Sequence, residues 1–339
     1  MRRRLILSLS AAALVIGGHT LLWRWSEARL ESGFAAWRTA QRQAGWTIVS
    51  GTPARAGWPL AARLDIPRMT LADGAPGQPA PLRWAADRVS LTVDFSSPGT
   101  LVIGFGGTQT VELAGAPPIS LTAGHMDATT PLNAATPTEA AMDVDIGDLR
   151  ATLPSGTLTV TRLQLHGDAS QAFSLSAGDI ALPPPEPGGN WPLGAHIASL
   201  VIAGSVIGAI PPTPGLYAEA AAWRSAGGRI DLPHVSIGWG PLGITGTAKL
   251  RLDAQMQPDA TARLRIVGYD AALDALAAAG SLTRPAADAA KAVLGLIART
   301  PDGGGVKLVD APVTLHAGRL SVGQFPLVRL PELVWPDGK

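Results

Sequence analysis

The chain has 339 residues, no cysteine and a formal net charge of +1 at pH 7. That length suits one large domain or two modest ones, with enough core to stand without staples. The missing cysteines exclude a disulfide framework and thiolate metal sites, and the near-neutral balance argues against nucleic acid as a main partner.

Arg2, Arg3 and Arg4 precede an uncharged, mostly apolar run from Leu5 to Trp23. At about 1.5 Å per residue, a helix over this run comes close to the roughly 30 Å of a bilayer core. Arginines before the run and none inside it keep the N-terminus cytoplasmic, and Trp23 and Trp25 fall where an aromatic belt sits. The expectation is a single-pass inner-membrane anchor over residues 1–25, with the body in the periplasm. A secretory signal that is cleaved shares the basic and apolar regions. Its small-residue cleavage site is missing, however, because Ala11 to Ala13 lie inside the run. His19 is polar within the span, either a proton or partner site or a residue tolerated near the outer interface.

From Ser26 the spacing of Leu30, Phe34, Trp37 and Gln41 predicts an amphipathic helix ending before Gly45, a plausible C-terminal cap. Its polar side is not strongly basic, so it is expected to dock on the domain rather than lie on the membrane.

Strands follow from residue 47. Short ones are read at 47–49, 61–66, 68–71 and 82–84, then a clear alternation of Val89, Leu91, Val93 and Phe95 with Arg88, Ser90, Thr92 and Asp94. A Ser-Pro-Gly turn leads to Leu101, Ile103 and Phe105, then Val111 with Leu113, and Ile119 with Leu121. Residues 140–153, 157–166 and 172–182 continue the pattern. Its alternation slips near Arg162 and again near Gly178, which predicts bulges. Pro183 to Gly189 is the strongest break. Residues 47–182 and 193–339 are therefore two β parts around a linker at 183–192, either two domains or two halves of one sheet.

In the second part a strand at 197–202 precedes a proline-rich loop. Residues 217–223 are ambiguous between strand and helix. Then Val235, Ile237 and Trp239, Ala248, Leu250 and Leu252, and Ala262, Leu264 and Ile266 alternate with Ser, Thr, Lys and Arg, with Gly-Pro-Leu-Gly and Met-Gln-Pro-Asp supplying the turns. This is an antiparallel meander. Helices are expected at 270–279 and from Arg284 or Pro285 to Arg299, and strands at 306–309, 313–317, 320–322 and 327–335.

So many one-sided strands and so few helices leave an apolar face too large to stay in water at roughly 25 cal/mol per Å². The fold class is therefore mainly β: a large antiparallel sheet that curls as a groove, open barrel or sandwich. In a closed sandwich that face is only core. In a groove it is open to an acyl chain, and the candidate lining is Leu91, Val93, Phe95, Leu101, Ile103, Ile237, Trp239, Leu250, Leu252, Leu264 and Ile266.

No catalytic constellation is visible. Asp143, Asp145 and Asp148 lack calcium-loop spacing and read as a solvated strand face. Gly104 to Gly107 is followed by neither Gly-Lys-Ser nor a helix. The histidines at 19, 125, 166, 196, 234 and 316 never take ligand spacing, and no serine sits in a nucleophile elbow. No cofactor or metal is implied, and an enzyme is not expected.

Gly57-Trp-Pro59, Gly238-Trp-Gly-Pro-Leu242, Leu250-Arg-Leu-Asp253 with Gln257-Pro258, Gly268, and the ending Gly318 to Leu327 with Leu330-Pro331 together resemble an envelope family, domain of unknown function 2125. The resemblance covers nearly the whole chain, and its motifs are turns and strand ends. It implies the compartment and the fold and brings no functional residues. That family is similar in style to membrane-anchored envelope proteins of the AsmA type, whose curled sheets are associated with lipid handling. The expected function is binding or shuttling of a phospholipid or other acyl-chain ligand. The alternative is a scaffold that offers a sheet face or edge to another envelope protein.

Overall fold

The computed structural model describes residues 2–73, 82–132, 141–185, 189–210, 216–300, 306–323 and 325–335, with side chains for all of these except 2–13, 216 and 325–328. It opens with one helix, α1 (Arg2–Gln43). Anchor run and amphipathic helix are thus a single rod rather than two elements. Nothing between Trp23 and Ser26 breaks a helix, and Gly45, at φ 96°, ends it.

The strands form a single antiparallel sheet. Its first half comprises β1 (Trp46–Val49), β2 (Ala54–Ala56), β3 (Ala61–Asp73), β4 (Leu82–Asp94), β5 (Thr100–Leu113), β6 (Ile119–Thr122) and β7 (His125–Pro131). Then come β8 (Met142–Leu153), β9 (Gly156–Gly167), β10 (Ala172–Ala181) and β11 (His196–Ile207). Next, α2 (Leu216–Ser225) precedes β12 (Arg229–Trp239), β13 (Leu242–Leu252) and β14 (Pro258–Val267). Finally α3 (Tyr269–Ala278) and α4 (Arg284–Ile297) precede β15 (Leu308–His316), β16 (Arg319–Val322) and β17 (Phe325–Arg329).

Apart from β1 with β2 and β6 with β7, consecutive strands pair with each other. β1 and β2 share one side of β3, and β6 and β7 together fill the row between β5 and β8. Among the described residues β17 pairs only with β16, and β1 and β2 only with β3, so both ends of the ladder are open. The proline run, of which 186–188 lie outside the described residues, joins β10 to β11, which pair directly. The two β parts marked by the sequence are consecutive parts of one sheet.

Several expected short strands are single long ones. Residues 61–71 belong to β3, 82–94 to β4 and 101–113 to β5. The reason is a crease that crosses the sheet from β1 to β11. Between β1 and β2 the ladder is interrupted, and Gly51 N–H bonds the Pro67 carbonyl. Next to it stands Arg68 at φ 51°, then Asp87, whose carboxylate accepts the Thr108 N–H, then Gly107 at φ 78°. Beyond lie the break at Ala123 and Gly124, Asp148 at φ 53°, Thr161, Asp179 at φ 53°, and a register shift at Ala198. The slips expected near Arg162 and Gly178 are two points on this line. At the crease the alternation changes phase. Leu64 and Ile66 on one side and Met69 on the other therefore reach the same core.

Other differences are local. The ambiguous segment at 217–223 is helical. β2 and β7 carry too few apolar residues to be read as strands. β15 runs unbroken through Pro312, and beyond β17 the residues 330–335 are a tail rather than a strand. Gln257 holds that tail through Leu333, and the Trp335 ring N–H bonds the Met256 carbonyl.

Candidate functional site

Residues paired across an antiparallel ladder share a face. Leu64 pairs with Leu91, Leu91 with Ile103, Ile103 with Ala128, and Ala128 with Val144. Val144 pairs with Leu165, Leu165 with Leu175, Leu175 with Ile202, and Ile202 with Val235. The row closes through Gly246 and Leu264 to Ala311. One unbroken apolar row therefore runs from β3 to β15. At Gly246 the backbones approach so closely that a Cβ would stand 2.1 Å from the Arg263 carbonyl oxygen.

The next row is polar and faces the other way: Asp65, Ser90, Gly104, Asp127, Asp145, Gln164 and Ser176 in register, then, past Val201, Ser236, Thr245, Arg265 and Asp310. This face carries cross-strand pairs of His166 Nδ1 with Asp143 at 2.7 Å and His125 with Asp145. The Gln164 amide also donates to Asp145 at 2.8 Å, and these bonds hold the Asp145 carboxyl below its ordinary pKa. Asp143 is exposed and Asp145 half-buried, and among the described residues no group of three or more His, Cys, Asp or Glu could hold a metal.

Helices cover the two ends of the apolar face. Phe34 of α1 is buried against Leu64, Ile66, Met69, Ala86 and Val89, with Leu30, Trp37, Leu91 and Ile103 around them. At the opposite end Tyr269 and Leu273 of α3 and Leu294 of α4 pack with Ile266, Val309 and Ala311. The middle is different. Ile146, Leu149, Val160, Ala177 and Ile180 are buried, and all their partners, Leu121, Met126, Val144, Leu163, Leu175 and Leu200 among them, come from strands or their connections. Among the described residues no helix contributes to this cluster.

All the groove candidates that lie within strands fall on the apolar face, and Phe95 stands in the turn just after β4. Val93 is buried and the rest are half-buried. They are not equally free. Leu91 and Ile103 adjoin the core under α1, and Ile266 belongs to the core under α3 and α4. Phe95 meets the His19 ring edge-on. Trp239 packs on Trp191, and its ring N–H bonds the Gly194 carbonyl. Leu101, Ile237, Leu250, Leu252 and Leu264 have no helical partner among those core clusters. Sequence reading missed Val144, Leu165, Leu175 and Ile202. Register places them in the same row, and register is what alternation alone cannot supply.

At the interface positions, Arg2, Arg3 and Arg4 lie in α1 with side chains outside the described set. The Trp23 ring N–H bonds the Ala61 carbonyl at 3.1 Å, and Trp25 is exposed with Arg29 over its ring. Among the described residues no helix is long and apolar enough to cross a membrane. Of the expected span only the part from Leu14 onward has described side chains, which is too short alone.

The class defined by these features is a mainly β protein built on one open, creased antiparallel sheet with separate apolar and polar faces. The chain belongs to the family described as uncharacterized protein conserved in bacteria (DUF2125), whose model matches residues 23–331. No curated protein and no solved structure matches it.

Proposed function

We propose that the chain is a membrane-anchored periplasmic protein that binds or shuttles a phospholipid, or another acyl-chain ligand, in a trough formed by the apolar face of its sheet. The observation that carries this reading is the unbroken row from Leu64 to Ala311, half-buried over much of its length and free of helices in its middle. Burial there comes from the sheet itself, which a flat sheet cannot provide. The crease and the right-handed twist roll it with the apolar face inward. Open ladder ends keep the roll from closing as a barrel. A trough of half-buried aliphatic side chains with no polar group in its row suits an acyl chain, and each buried methylene of that chain contributes about 0.8 kcal/mol.

The test is phospholipid retention by the full chain, counted by mass spectrometry after exhaustive detergent exchange, for the wild type and for Leu250→Arg. Leu250 is half-buried on the apolar face. A stoichiometric lipid that the variant loses, while its thermal unfolding and circular dichroism stay like wild type, supports the trough. A wild type that keeps no lipid, or a variant that keeps as much, removes it and turns attention to a protein partner on the polar face or an edge strand.

A further inference from the structure

The side of α1 that meets the domain runs through His19, Trp23, Glu27, Leu30, Phe34 and Trp37, three to four residues apart and so on one helical stripe. His19 donates its ring N–H to the Pro59 carbonyl and lies edge-on to Phe95. Trp23 bonds Ala61, and the Phe95 N–H bonds the Leu60 carbonyl. The helix is thereby fastened to the sheet as far as the turn between β2 and β3. Beyond His19 the uncharged run comprises Leu5 to Gly18, bounded by Arg2 to Arg4, and makes about 21 Å of helix at 1.5 Å per residue.

That length conflicts with a domain held clear of the bilayer. The uncharged run extends to Trp23, and Leu21 and Leu22, level with the fastening, are 71% and 50% exposed. A hydrocarbon core of roughly 30 Å takes in about 20 helical residues. To cover it, the helix must sink until His19 to Trp23 reach the interface, and the fastened turn goes with them. The turn suits that position. Trp58 is 53% and Leu60 75% exposed. Gly57 at φ 93°, where a Cβ would stand 2.6 Å from the Ala61 carbonyl oxygen, makes the tight return that presents them. Tryptophan with an aliphatic neighbour is the composition of an interfacial belt.

We infer that the β2–β3 turn, Trp58 to Leu60, is a membrane-seated collar that lies in the headgroup layer of the leaflet from which α1 emerges. The inference rests on the anchor proposed above. It gives the trough an orientation: the strand ends at Phe95 and Leu101 adjoin the leaflet, so an acyl chain enters along the membrane plane without crossing water. The exposed apolar surface of Leu21, Leu22, Trp58 and Leu60 is then covered by lipid.

The native chain has no cysteine, so single cysteines can carry an environment-sensitive fluorophore at chosen depths. The full chain is reconstituted in liposomes of phosphatidylethanolamine and phosphatidylglycerol containing nitroxide lipids, labelled at Leu60→Cys, Val15→Cys or Leu113→Cys. All three positions are exposed, so the substitutions leave the core intact. Leu113 ends β5 at the far end of the strands, about 40 Å from the collar at 3.3 Å per residue. The expected result is loss of Leu60→Cys emission to headgroup nitroxide, loss of Val15→Cys emission to acyl-chain nitroxide, and no loss at Leu113→Cys. Quenching at Val15→Cys without quenching at Leu60→Cys overturns the collar and leaves the anchor standing. No quenching at Val15→Cys overturns both. Quenching at Leu113→Cys as well means that the whole sheet lies on the membrane, which also overturns the collar.

Discussion

Glu27 lies on the domain-facing stripe of α1 with 1% of its side chain exposed, its carboxylate oxygens without hydrogen-bond partners and the Arg55 guanidinium 3.9 Å away. Burial pushes its pKa up, and Arg55 opposes the shift. The folded state therefore holds this proton more tightly than the unfolded chain, in which the carboxyl titrates near 4.5. The contribution of Glu27 to stability is most favourable below that value and declines as pH rises through it to the raised folded value. Glu27→Gln is expected to raise the unfolding temperature at pH 7 and to lose most of that gain at pH 4. An equal gain at both values would show that the carboxylate is not the cause. Asp259 is the opposite case. It is buried, accepts a hydrogen bond from His316 Nδ1 at 2.6 Å and one from Arg251, and its pKa is lowered chiefly by His316. Its stabilisation is present above the unfolded value of 3.8 and lost as pH falls through the lowered folded one. Asp259→Asn is expected to cost about 1–3 kcal/mol near neutrality, with the difference from wild type shrinking in acid when unfolding is followed across pH.

At the scale of elements, the crease explains both what the sequence made legible and what it hid. Leu242 to Leu252 alternates without interruption, so β13 could be read almost to its ends, and Gly280 and Pro285 marked the limits of α3 and α4 through ordinary capping rules. In β3, β4 and β5 the phase shifts at Arg68, Asp87 and Gly107 split one strand into two apparent ones, because a period-two pattern cannot carry across an extra residue. Aspartate at Asp148 and Asp179 suits the left-handed backbone there better than a β-branched residue does. Asp179→Gly is therefore expected to be nearly neutral, and Asp179→Val to destabilise by about 1–2 kcal/mol, measured by denaturant unfolding. Similar losses for the two variants would mean that the carboxylate, not the backbone, matters at that position.

For the molecule as a whole, the candidate site was half legible. Polarity of the strands gave the two faces, while the row from Val144 to Ile202 depends on registers set by turns whose lengths a single sequence leaves open. That row also decides where a ligand can lie. Under α1 the face is filled by Phe34 and its neighbours, and under α3 and α4 by Tyr269 and Leu294, so neither end has room without moving a helix. Phe34→Ala, which removes the largest buried contact of α1, is expected to cost about 3–5 kcal/mol for that reason. Among the described residues the middle has no such helical cover. A photoreactive residue placed singly at Leu165, Leu175 or Ile202 in the full chain should therefore crosslink to lipid in intact cells. The same residue at Ile66 or Val309, beneath the helices, should give none, nor should it at Gln164 or Ser176 on the polar face. Lipid adducts confined to the middle of the apolar face would locate the ligand there. Adducts spread equally over both faces would mean contact with the bulk membrane rather than occupancy of a trough. An absence of lipid adducts alongside a reproducible protein adduct at Gln164 would assign the polar face to a partner protein, leaving the apolar row as core alone.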